Sequence, residues 1–233
     1  MNIHPINAFK DNYIWVIEQD SQVVTVDPGE AKGVLDYLHD AQKSLSAILL
    51  THNHDDHTGG VEQILAEYPN TPVYGPAETQ PLNQYVLKEG DSFKLFGRTV
   101  TVLDTPGHTE GHISYLIDEA LFCGDSLFSA GTGRVFTGDY QAQFLSLQKF
   151  KQLDNIVRVY PAHEYTETNL RFAQSIEPAN QHVLVALDEV RALRKTGKPT
   201  LPSTIGREKK INLLLQAETL EQFIKLRQAR DDF

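Results

Sequence analysis

The sequence predicts a layered α/β fold followed by a small helical region, and two observations support this prediction. From Ile14 to about Ala162, short β-rich runs alternate with helical stretches and with turns rich in Gly, Pro and Asp. From about Glu164 onward the β-rich runs stop and helical periodicity takes over. We therefore expect residues 1–165 to form an α/β domain and residues 166–233 to form a helical C-terminal domain.

Each predicted element follows from a local pattern of apolar residues. The predicted strands are YIWVIE, VVTVD, AILL, PVYG, VTVLD, SYLI, ALFCGD and IVRVYPA. The predicted helices of the first domain lie near residues 31–43, 60–68 and 141–152. The C-terminal helices are predicted in TETNLRFAQSI, QHVLVALDEVRALRKTG and INLLLQAETLEQFIKLRQAR. Two prolines in KPTLPSTIG (198–206) predict a loop without a regular element.

Composition and charge exclude several classes of function. The chain of 233 residues carries a formal net charge of -10, which argues against nucleic acid or an anionic membrane as its main partner. No apolar run approaches the ~18 residues that a membrane-spanning helix needs. The single cysteine, Cys123, excludes an intrachain disulfide, and with no leader-like segment it favours a cytoplasmic protein. Because Cys123 lies in the apolar run ALFC, we expect a buried core thiol rather than a nucleophile.

The stretch THNHDDHTGG (51–60) places three histidines and two aspartates directly after a predicted strand. If the chain is still extended there, alternate side chains point the same way, so His52, His54 and Asp56 converge and Asp55 faces elsewhere. His57 precedes the start of a predicted helix, so its direction need not follow the strand. Imidazoles with a carboxylate suit zinc or a similar divalent ion. A solvated polar loop would not explain so many ligand types at this spacing.

Three further candidate ligands end later β-rich runs. His108 follows VTVLD, Asp125 follows ALFC, and His163 follows IVRV. Loops that leave strands are where functional residues collect in α/β folds, so the sequence predicts that a sheet gathers these side chains into one metal site. His112 repeats the Gly-His pattern of His108, and we interpret it as an orienting or structural residue.

The motifs THNHDDH, PGH, GD and PAH, in this order, resemble those of the metallo-β-lactamase superfamily. Within it, the chain looks most similar to the glyoxalase II (hydroxyacylglutathione hydrolase) family along its whole length. The segments that carry this closer resemblance are AFKDNYIW, GTGRVFTG, PAHEYT with NLRFA, and LRQARDDF. The resemblance implies an αββα sandwich with a small all-helical C-terminal domain that binds glutathione.

The resemblance also implies a centre of two divalent metal ions. His52, His54 and His108 would bind one ion, Asp56, His57 and His163 the other, and Asp125 would bridge them. Asp56 and Asp125 would thereby hold a metal-bridging hydroxide that attacks the substrate. Zinc is the expected metal, although the same nitrogen and oxygen ligands also suit iron and manganese.

The function implied is hydrolysis of S-(2-hydroxyacyl)glutathione, chiefly S-D-lactoylglutathione, to glutathione and D-lactate, the second step of methylglyoxal detoxification. A thiolate leaving group has a pKa of about 8.5 by analogy with cysteine, so its departure needs little help from an acid. The expected partner is this small thioester, with no nucleic acid or membrane, and we expect a monomer. The residues that the family resemblance assigns to substrate binding are Arg134, Phe136, Tyr165, Arg227 and Arg230.

The sequence leaves four alternatives open. A glutathione-persulfide dioxygenase of the same superfamily would use one iron and consume oxygen. Two more are other metallohydrolases of the superfamily: a lactamase, which should be exported, and a nuclease, which should carry a basic surface. A metal that only stabilises the fold would have a closed coordination shell without a position for water.

Overall fold

Nine strands and three α-helices form the first of two units into which the chain divides. The structure is a computed structural model that describes all 233 residues. Unit 1 comprises Met1–Asp104 and Thr109–Asp118, and unit 2 comprises Thr105–His108 and Glu119–Phe233. The strands of unit 1 are β1 (Asn2–Ala8), β2 (Asn12–Gln19), β3 (Gln22–Val26), β4 (Ser44–Leu49), β5 (Val73–Gly75), β6 (Tyr85–Val86), β7 (Ser92–Leu95), β8 (Arg98–Asp104) and β9 (Ile113–Ile117). Its α-helices are α1 (Lys32–Asp40), α2 (Asp55–Thr58) and α3 (Val61–Glu67).

The first six strands of unit 1 form one mixed sheet in the order β1-β2-β3-β4-β5-β6. The strands β1, β2 and β3 pair antiparallel, whereas β3, β4, β5 and β6 pair parallel. Strands β7, β8 and β9 form an antiparallel meander. Parallel pairs need a crossover, and α1 supplies it between β3 and β4.

The core of unit 1 forms where α1 and α3 pack on the sheet. Helix α1 buries Val34 and Leu38, four residues apart on one face, and α3 buries Val61 and Ile64, which are three residues apart on one face. These side chains belong to one apolar cluster with strand residues such as Ile48. Each fully buried aliphatic side chain contributes about 1.5–3 kcal/mol to folding. This packing fixes the end of β4, where the histidine-rich stretch begins.

Unit 2 contains three strands and six helices. Strands β10 and β11 pair parallel, and β11 pairs antiparallel with β12. The strands are β10 (Ala120–Gly124), β11 (Arg158–Pro161) and β12 (Ser203–Thr204). The helices are α4 (Tyr140–Lys151), α5 (Thr166–Ile176), α6 (Gln181–Lys195), α7 (Ile205–Ile211), α8 (Leu213–Gln216) and α9 (Leu220–Asp231). Its helical core is one cluster that includes Leu170 of α5, Leu187 of α6 and Leu213 of α8.

Side-chain caps begin five of the six helices of unit 2, all except α5. Asp139 accepts from the backbone N–H of Ala142 at the start of α4, and Asn180 caps α6 in the same manner. Thr219 caps α9 by accepting from Gln222. Such caps satisfy backbone donors that a helix leaves unpaired, and each contributes about 1 kcal/mol. None of the helices in the structure combines the length and the apolar composition needed to span a lipid bilayer.

The structure corrects three of the predicted elements. The segment 198–206 is not wholly irregular, because Ser203–Thr204 forms β12 and α7 begins at Ile205. The predicted helix INLLLQAETLEQFIKLRQAR is broken, since Asn212 caps α8 and Thr219 caps α9. The chain is not extended through Asp56, because α2 already begins at Asp55. Strand β4 itself ends at Leu49 and the chain bends at residues 51–52, so the premise of strand alternation does not hold, although the backbone of His54 is extended.

Candidate metal centre

Unit 1 gathers three imidazoles and one carboxylate in the stretch that follows β4. His52 and His57 are fully buried, while His54 and Asp56 are half-buried. The Nε2 atom of His52 lies 3.1 Å from Nδ1 of His54, and Nε2 of His57 lies 3.5 Å from Oδ2 of Asp56. The rings of His52 and His57 have centroids 4.0 Å apart. Ring nitrogens and a carboxylate oxygen therefore converge within unit 1, which is the donor set that divalent transition metals favour.

A short helix gives Asp56 and His57 their directions. His54 is the N-cap of α2, and the backbone N–H groups of His57 and Thr58 bond to its carbonyl oxygen. Gly29 packs directly against this helix, because a Cβ atom there would stand 1.8 Å from the carbonyl oxygen of Asp56. Only glycine permits such close approach of two backbones. The turn after β3 thus holds α2 in place.

Asp27 orients His57. It is 4% exposed, and its Oδ2 atom accepts from Nδ1 of His57 at 3.0 Å and from Oγ1 of Thr51 at 2.7 Å. Its Oδ1 atom accepts from the backbone N–H of Thr51 at 2.8 Å. A carboxylate that accepts from Nδ1 keeps the lone pair of the imidazole on Nε2, the atom that faces Asp56. Asp27 lies near His52 and His57 and could itself ligate a metal, but its oxygens already accept three hydrogen bonds.

Two further residues of unit 1 support this set. Asn12 is 7% exposed and donates from Nδ2 to Oδ2 of Asp56 at 2.9 Å, which fixes the carboxylate. The ring of His112 stacks on that of His52, with centroids 4.9 Å apart and planes 27° apart. His112 therefore contacts one of the metal-ligand candidates.

Unit 2 contributes the other three predicted ligands, all of them buried. His108 follows β8, Asp125 follows β10 and His163 follows β11. Oδ2 of Asp125 lies 3.4 Å from Nε2 of His108, and Oδ1 lies 3.4 Å from Nε2 of His163. Each oxygen of one carboxylate thus faces a different imidazole. This is the arrangement expected of a carboxylate shared by two metal ions.

Neighbouring groups hold the two histidines of unit 2 in place. Nδ1 of His108 donates to the carbonyl oxygen of Arg134 at 2.8 Å, which directs Nε2 toward Asp125. The ring of His163 stacks on Tyr165 with centroids 4.7 Å apart and planes 8° apart. Gly133 has no room for a side chain, since a Cβ atom would stand 2.2 Å from the carbonyl oxygen of Asp125.

A cavity of about 250 Å³ in unit 2 is lined by four of the five residues assigned to substrate binding. Nε of Arg134 donates to Oδ1 of Asp231 at 3.1 Å, and Nε of Arg230 donates to Oδ1 of Asn169 at 3.1 Å. The complete lining is Phe128, Thr132, Arg134, Tyr165, Asn169, Arg227, Arg230 and Asp231. Three guanidinium groups around one carboxylate make this cavity suitable for a further anion.

Arg227 is more buried than its predicted role requires. It is 4% exposed, and its guanidinium donates to the carbonyl oxygen of Thr132 at 2.6 Å and to Oδ1 of Asp231 at 3.1 Å. Its Nε atom is buried and has no hydrogen-bond partner. Burial lowers the pKa of Arg227 to about 10, so the group remains charged at neutral pH. Arg227 therefore lines the cavity and also holds the backbone of Thr132 in place.

The fifth residue, Phe136, stands outside this cavity and is 63% exposed. Its ring meets that of His108 edge-on, with centroids 5.3 Å apart, and Cζ of Arg134 lies 6.0 Å from its centroid. An exposed aromatic face beside a metal-ligand candidate is available to a substrate. Another cavity of unit 2, of about 730 Å³, lies elsewhere and is lined by none of the predicted site residues.

Asp27, Asn12 and Asp231 were not predicted from the sequence. Asp27 ends the predicted strand VVTVD, so the strand-end pattern that identified Asp125 was available for it. Asn12 and Asp231 act on residues 44 and 97 positions away, and no local pattern indicates such pairs. Cys123 is fully buried, as predicted, and burial raises the pKa of its thiol well above the ordinary value. It is therefore a core residue.

Comparison with known families covers the whole chain. Residues 9–163 match the model of the metallo-beta-lactamase superfamily, and residues 164–233 match that of the hydroxyacylglutathione hydrolase C-terminus. A hydroxyacylglutathione hydrolase of Glaesserella parasuis serovar 5 (strain SH0165) is 49% identical, with 100% of each chain covered. One of Vibrio campbellii (strain ATCC BAA-1116) is 47% identical over 95% of this chain and 88% of the relative.

Solved structures confirm the predicted fold class. ETHE1 from Myxococcus xanthus superposes with a TM-score of 0.75 at 24% identity and covers 98% of this chain and 90% of its own. TTHA1623, solved in a di-iron-bound form, gives a TM-score of 0.64 at 24% identity, with 91% and 98% covered. At this identity the likeness shows the fold alone, which is the metallo-β-lactamase fold. The full-length identity to the curated relatives goes further, and the chain belongs to the hydroxyacylglutathione hydrolase (glyoxalase II) family of the metallo-β-lactamase superfamily.

Proposed function

We propose that the protein hydrolyses S-(2-hydroxyacyl)glutathione, chiefly S-D-lactoylglutathione, to glutathione and D-lactate. The observation that carries this proposal lies in unit 2. There the Asp125 carboxylate faces His108 and His163, and the segment that follows it contributes Phe128, Thr132 and Arg134 to the three-arginine cavity. One continuous segment thus bears both a metal-ligand candidate and a wall for an anionic substrate. Full-length relatives named for this activity support the same reaction.

We propose that two divalent ions, zinc first among them, are held by the seven predicted ligands. His52, His54 and His108 would hold one ion, Asp56, His57 and His163 the other, with Asp125 shared. The donor chemistry fits, since every one of these side chains offers an imidazole nitrogen or a carboxylate oxygen. Bound ions would supply a water made nucleophilic near neutral pH and positive charge for the developing oxyanion.

The roles of the protein's own groups follow from their contacts. Asp27 and Asn12 would hold His57 and Asp56 in the orientation that ligation needs, and the carbonyl oxygen of Arg134 would do so for His108. The arginines of the cavity would bind the carboxylates of the glutathione moiety, with residues 166–233 as the glutathione-binding domain. Phe136 would offer its exposed ring to the same substrate.

The reaction itself needs no residue as general acid. Water adds a hydroxyl group to the thioester carbonyl carbon, the C–S bond breaks, and the thiolate leaves and takes up a proton. A thiol has a pKa of about 8.5, so its anion departs readily at neutral pH. Binding at the cavity would keep the sulfur and the carbonyl in place during this step.

The test is thioester hydrolysis by purified, metal-loaded protein, followed through release of free thiol. His54→Ala should lose bound metal and activity together, whereas the exposed His182→Ala should retain both. Wild-type protein that fails to cleave S-D-lactoylglutathione while cleaving another ester or a lactam would overturn the proposal. Oxygen consumption with glutathione persulfide and no thioester cleavage would indicate the dioxygenase alternative.

The expectations of a monomer and of a cytoplasmic location stay predictions, and size-exclusion chromatography checks the first.

A further inference from the structure

Glu208 is a fully buried carboxylate whose hydrogen-bond partners are all neutral. Its Oε1 atom accepts from Oγ of Ser129 at 2.8 Å and from Oγ of Ser203. Its Oε2 atom accepts from the backbone N–H of Ala130 at 2.7 Å and from Nδ2 of Asn212 at 3.3 Å. A buried charge without a neighbouring cation raises the free energy of the folded state. The four donors offset this cost because the fold holds them in position. Burial accordingly raises the pKa of Glu208.

Two of the four partners of Glu208, Ser129 and Ala130, lie in one loop, residues 128–132, and other side chains of the C-terminal region hold the same loop. Nδ2 of Asn212 donates to the carbonyl oxygens of Phe128 and Gly131 at 3.2 and 2.9 Å. Nδ2 of Asn169 donates to the carbonyl oxygen of Ser129 at 3.0 Å. Together with the bond from Arg227 to Thr132, side chains from the region 169–227 thus satisfy backbone groups of all five loop residues.

The loop needs such external support. Ala130 has a φ of 57°, in the left-handed region that residues with a Cβ atom rarely adopt. Within the loop, Phe128 and Gly131 exchange two backbone hydrogen bonds, at 3.0 and 3.1 Å. A strained backbone conformation persists only when its surroundings fix it, and it is concentrated at functional sites.

The loop also connects two parts of the candidate metal centre. Asp125 precedes it, and the backbone N–H of Gly133 bonds to the carbonyl oxygen of Asp125 at 2.9 Å. Arg134 follows it, and its carbonyl oxygen accepts the hydrogen bond that directs His108. A displacement of the loop would therefore move one metal-ligand candidate and release the orientation of another.

We propose that Glu208 and Asn212 are positioning residues for the metal centre, which act through the loop 128–132 on Asp125 and His108. The C-terminal helices would then serve metal retention in addition to substrate binding. This inference rests on the proposed ligation by Asp125 and His108. It assigns to Glu208 a role that depends on hydrogen bonding and not on charge.

Three substitutions separate this role from general stability. Asn212→Asp keeps the oxygen that caps α8 by accepting from Leu215, but it turns a second carboxylate oxygen toward two carbonyl groups and Glu208. Glu208→Leu removes the carboxylate oxygens that accept hydrogen bonds from Ser129 and Ala130 of the loop. Glu208→Gln can keep all four contacts, because its oxygen can accept from Ala130 and Asn212 while its amide donates to the two serine hydroxyls. Asn180→Asp, at the cap of α6, is the matched control.

The readouts are metal affinity, measured by competition with a chelator, and the absorption spectrum of the Co²⁺-substituted protein. Asn212→Asp and Glu208→Leu should bind metal at least about 10-fold more weakly and should change the Co²⁺ spectrum, the scale expected for partners that orient metal ligands. Glu208→Gln and Asn180→Asp should match the wild type within about twofold on both measurements. Circular dichroism verifies that each variant is folded, and Asn212→Asp with Glu208→Gln decides the matter if Glu208→Leu does not fold.

Two results would overturn the inference. The first is a folded Asn212→Asp with the metal affinity and Co²⁺ spectrum of the wild type. The second is a Glu208→Gln that loses metal as severely as the disruptive variants, since charge and not hydrogen bonding would then matter. A wild-type protein that binds no Co²⁺ would instead refute the proposed metal centre itself, so the two failures are distinguishable.

Discussion

At the scale of single residues, the metal-ligand candidates depend on neighbours that orient them. His57 is the clearest case, because Asp27 accepts a hydrogen bond from its Nδ1 and leaves the lone pair on Nε2 for a metal. The sequence motif identified His57, since histidines after a strand are conspicuous. It could not identify Asn12 as the partner of Asp56, because the two are 44 residues apart and only the sheet brings β2 beside α2.

We predict that Asp27→Asn weakens metal binding by about 10- to 100-fold without unfolding the protein. The amide can no longer accept all three hydrogen bonds that the carboxylate receives, so His57 loses its fixed tautomer. The measurement is a chelator competition on the folded variant, with the exposed Asp36→Asn as control. Unchanged metal affinity in Asp27→Asn would show that this carboxylate does not orient a ligand.

Arg134 differs from Arg227 in exposure, and this difference decides which arginine reports on substrate binding. The side chain of Arg134 is 57% exposed, whereas that of Arg227 is 5% exposed and supports the loop. Arg134→Met should raise KM about 10-fold with kcat nearly unchanged, since a charge-assisted hydrogen bond contributes about 1.5–3 kcal/mol. Arg191→Met, which removes only a surface ion pair with Glu167, is the control. A fall in kcat at constant KM for Arg134→Met would contradict the binding role.

At the scale of elements, strand ends were predictable and the C-terminal supports were not. His108, Asp125 and His163 each follow a β-rich run, and the amino-acid sequence alone shows this pattern. Glu208 lies in IGREKKI, where neighbouring charges suggest a solvated helix, yet it is fully buried in α7. Only tertiary packing distinguishes Glu208 from the exposed charges around it, and the same packing breaks the last predicted helix at Asn212.

The burial of Glu208 predicts a pH dependence of stability. Its folded-state pKa is raised above the ordinary value of 4.5, so the folded protein keeps this proton when the unfolded chain has lost it. The contribution of Glu208 to stability is therefore greatest below about pH 4.5 and declines as pH rises from there through the raised pKa. In metal-free protein, the free energy of unfolding of Glu208→Gln minus that of wild type should rise with pH.

Urea titrations across this pH window measure the difference directly. The exposed Glu221→Gln is the control variant for these titrations. A pH-independent difference for Glu208→Gln would mean that the carboxyl group of Glu208 titrates alike in the folded and unfolded states. It would not affect the positions of its hydrogen-bond partners.

At the scale of the whole molecule, the fold class could be predicted more completely than the substrate-binding cavity. The alternation of strands and helices predicted the α/β class, and the order of the four ligand motifs predicted the superfamily. The family resemblance named four residues of the three-arginine cavity, but its carboxylate could not be predicted, because Arg134 and Asp231 are 97 residues apart and only the folded chain brings them together. A net charge of -10 gives no sign that three arginines line one cavity.

The central claim is that the seven predicted ligands hold two divalent ions and that these ions are needed for thioester hydrolysis. Titration of metal-free protein with Zn²⁺, with elemental analysis and S-D-lactoylglutathione hydrolysis measured on the same samples, tests it most directly. Activity should rise with bound metal and level off at two ions per chain. Full activity at one ion per chain, or hydrolysis that does not depend on metal, would contradict the claim.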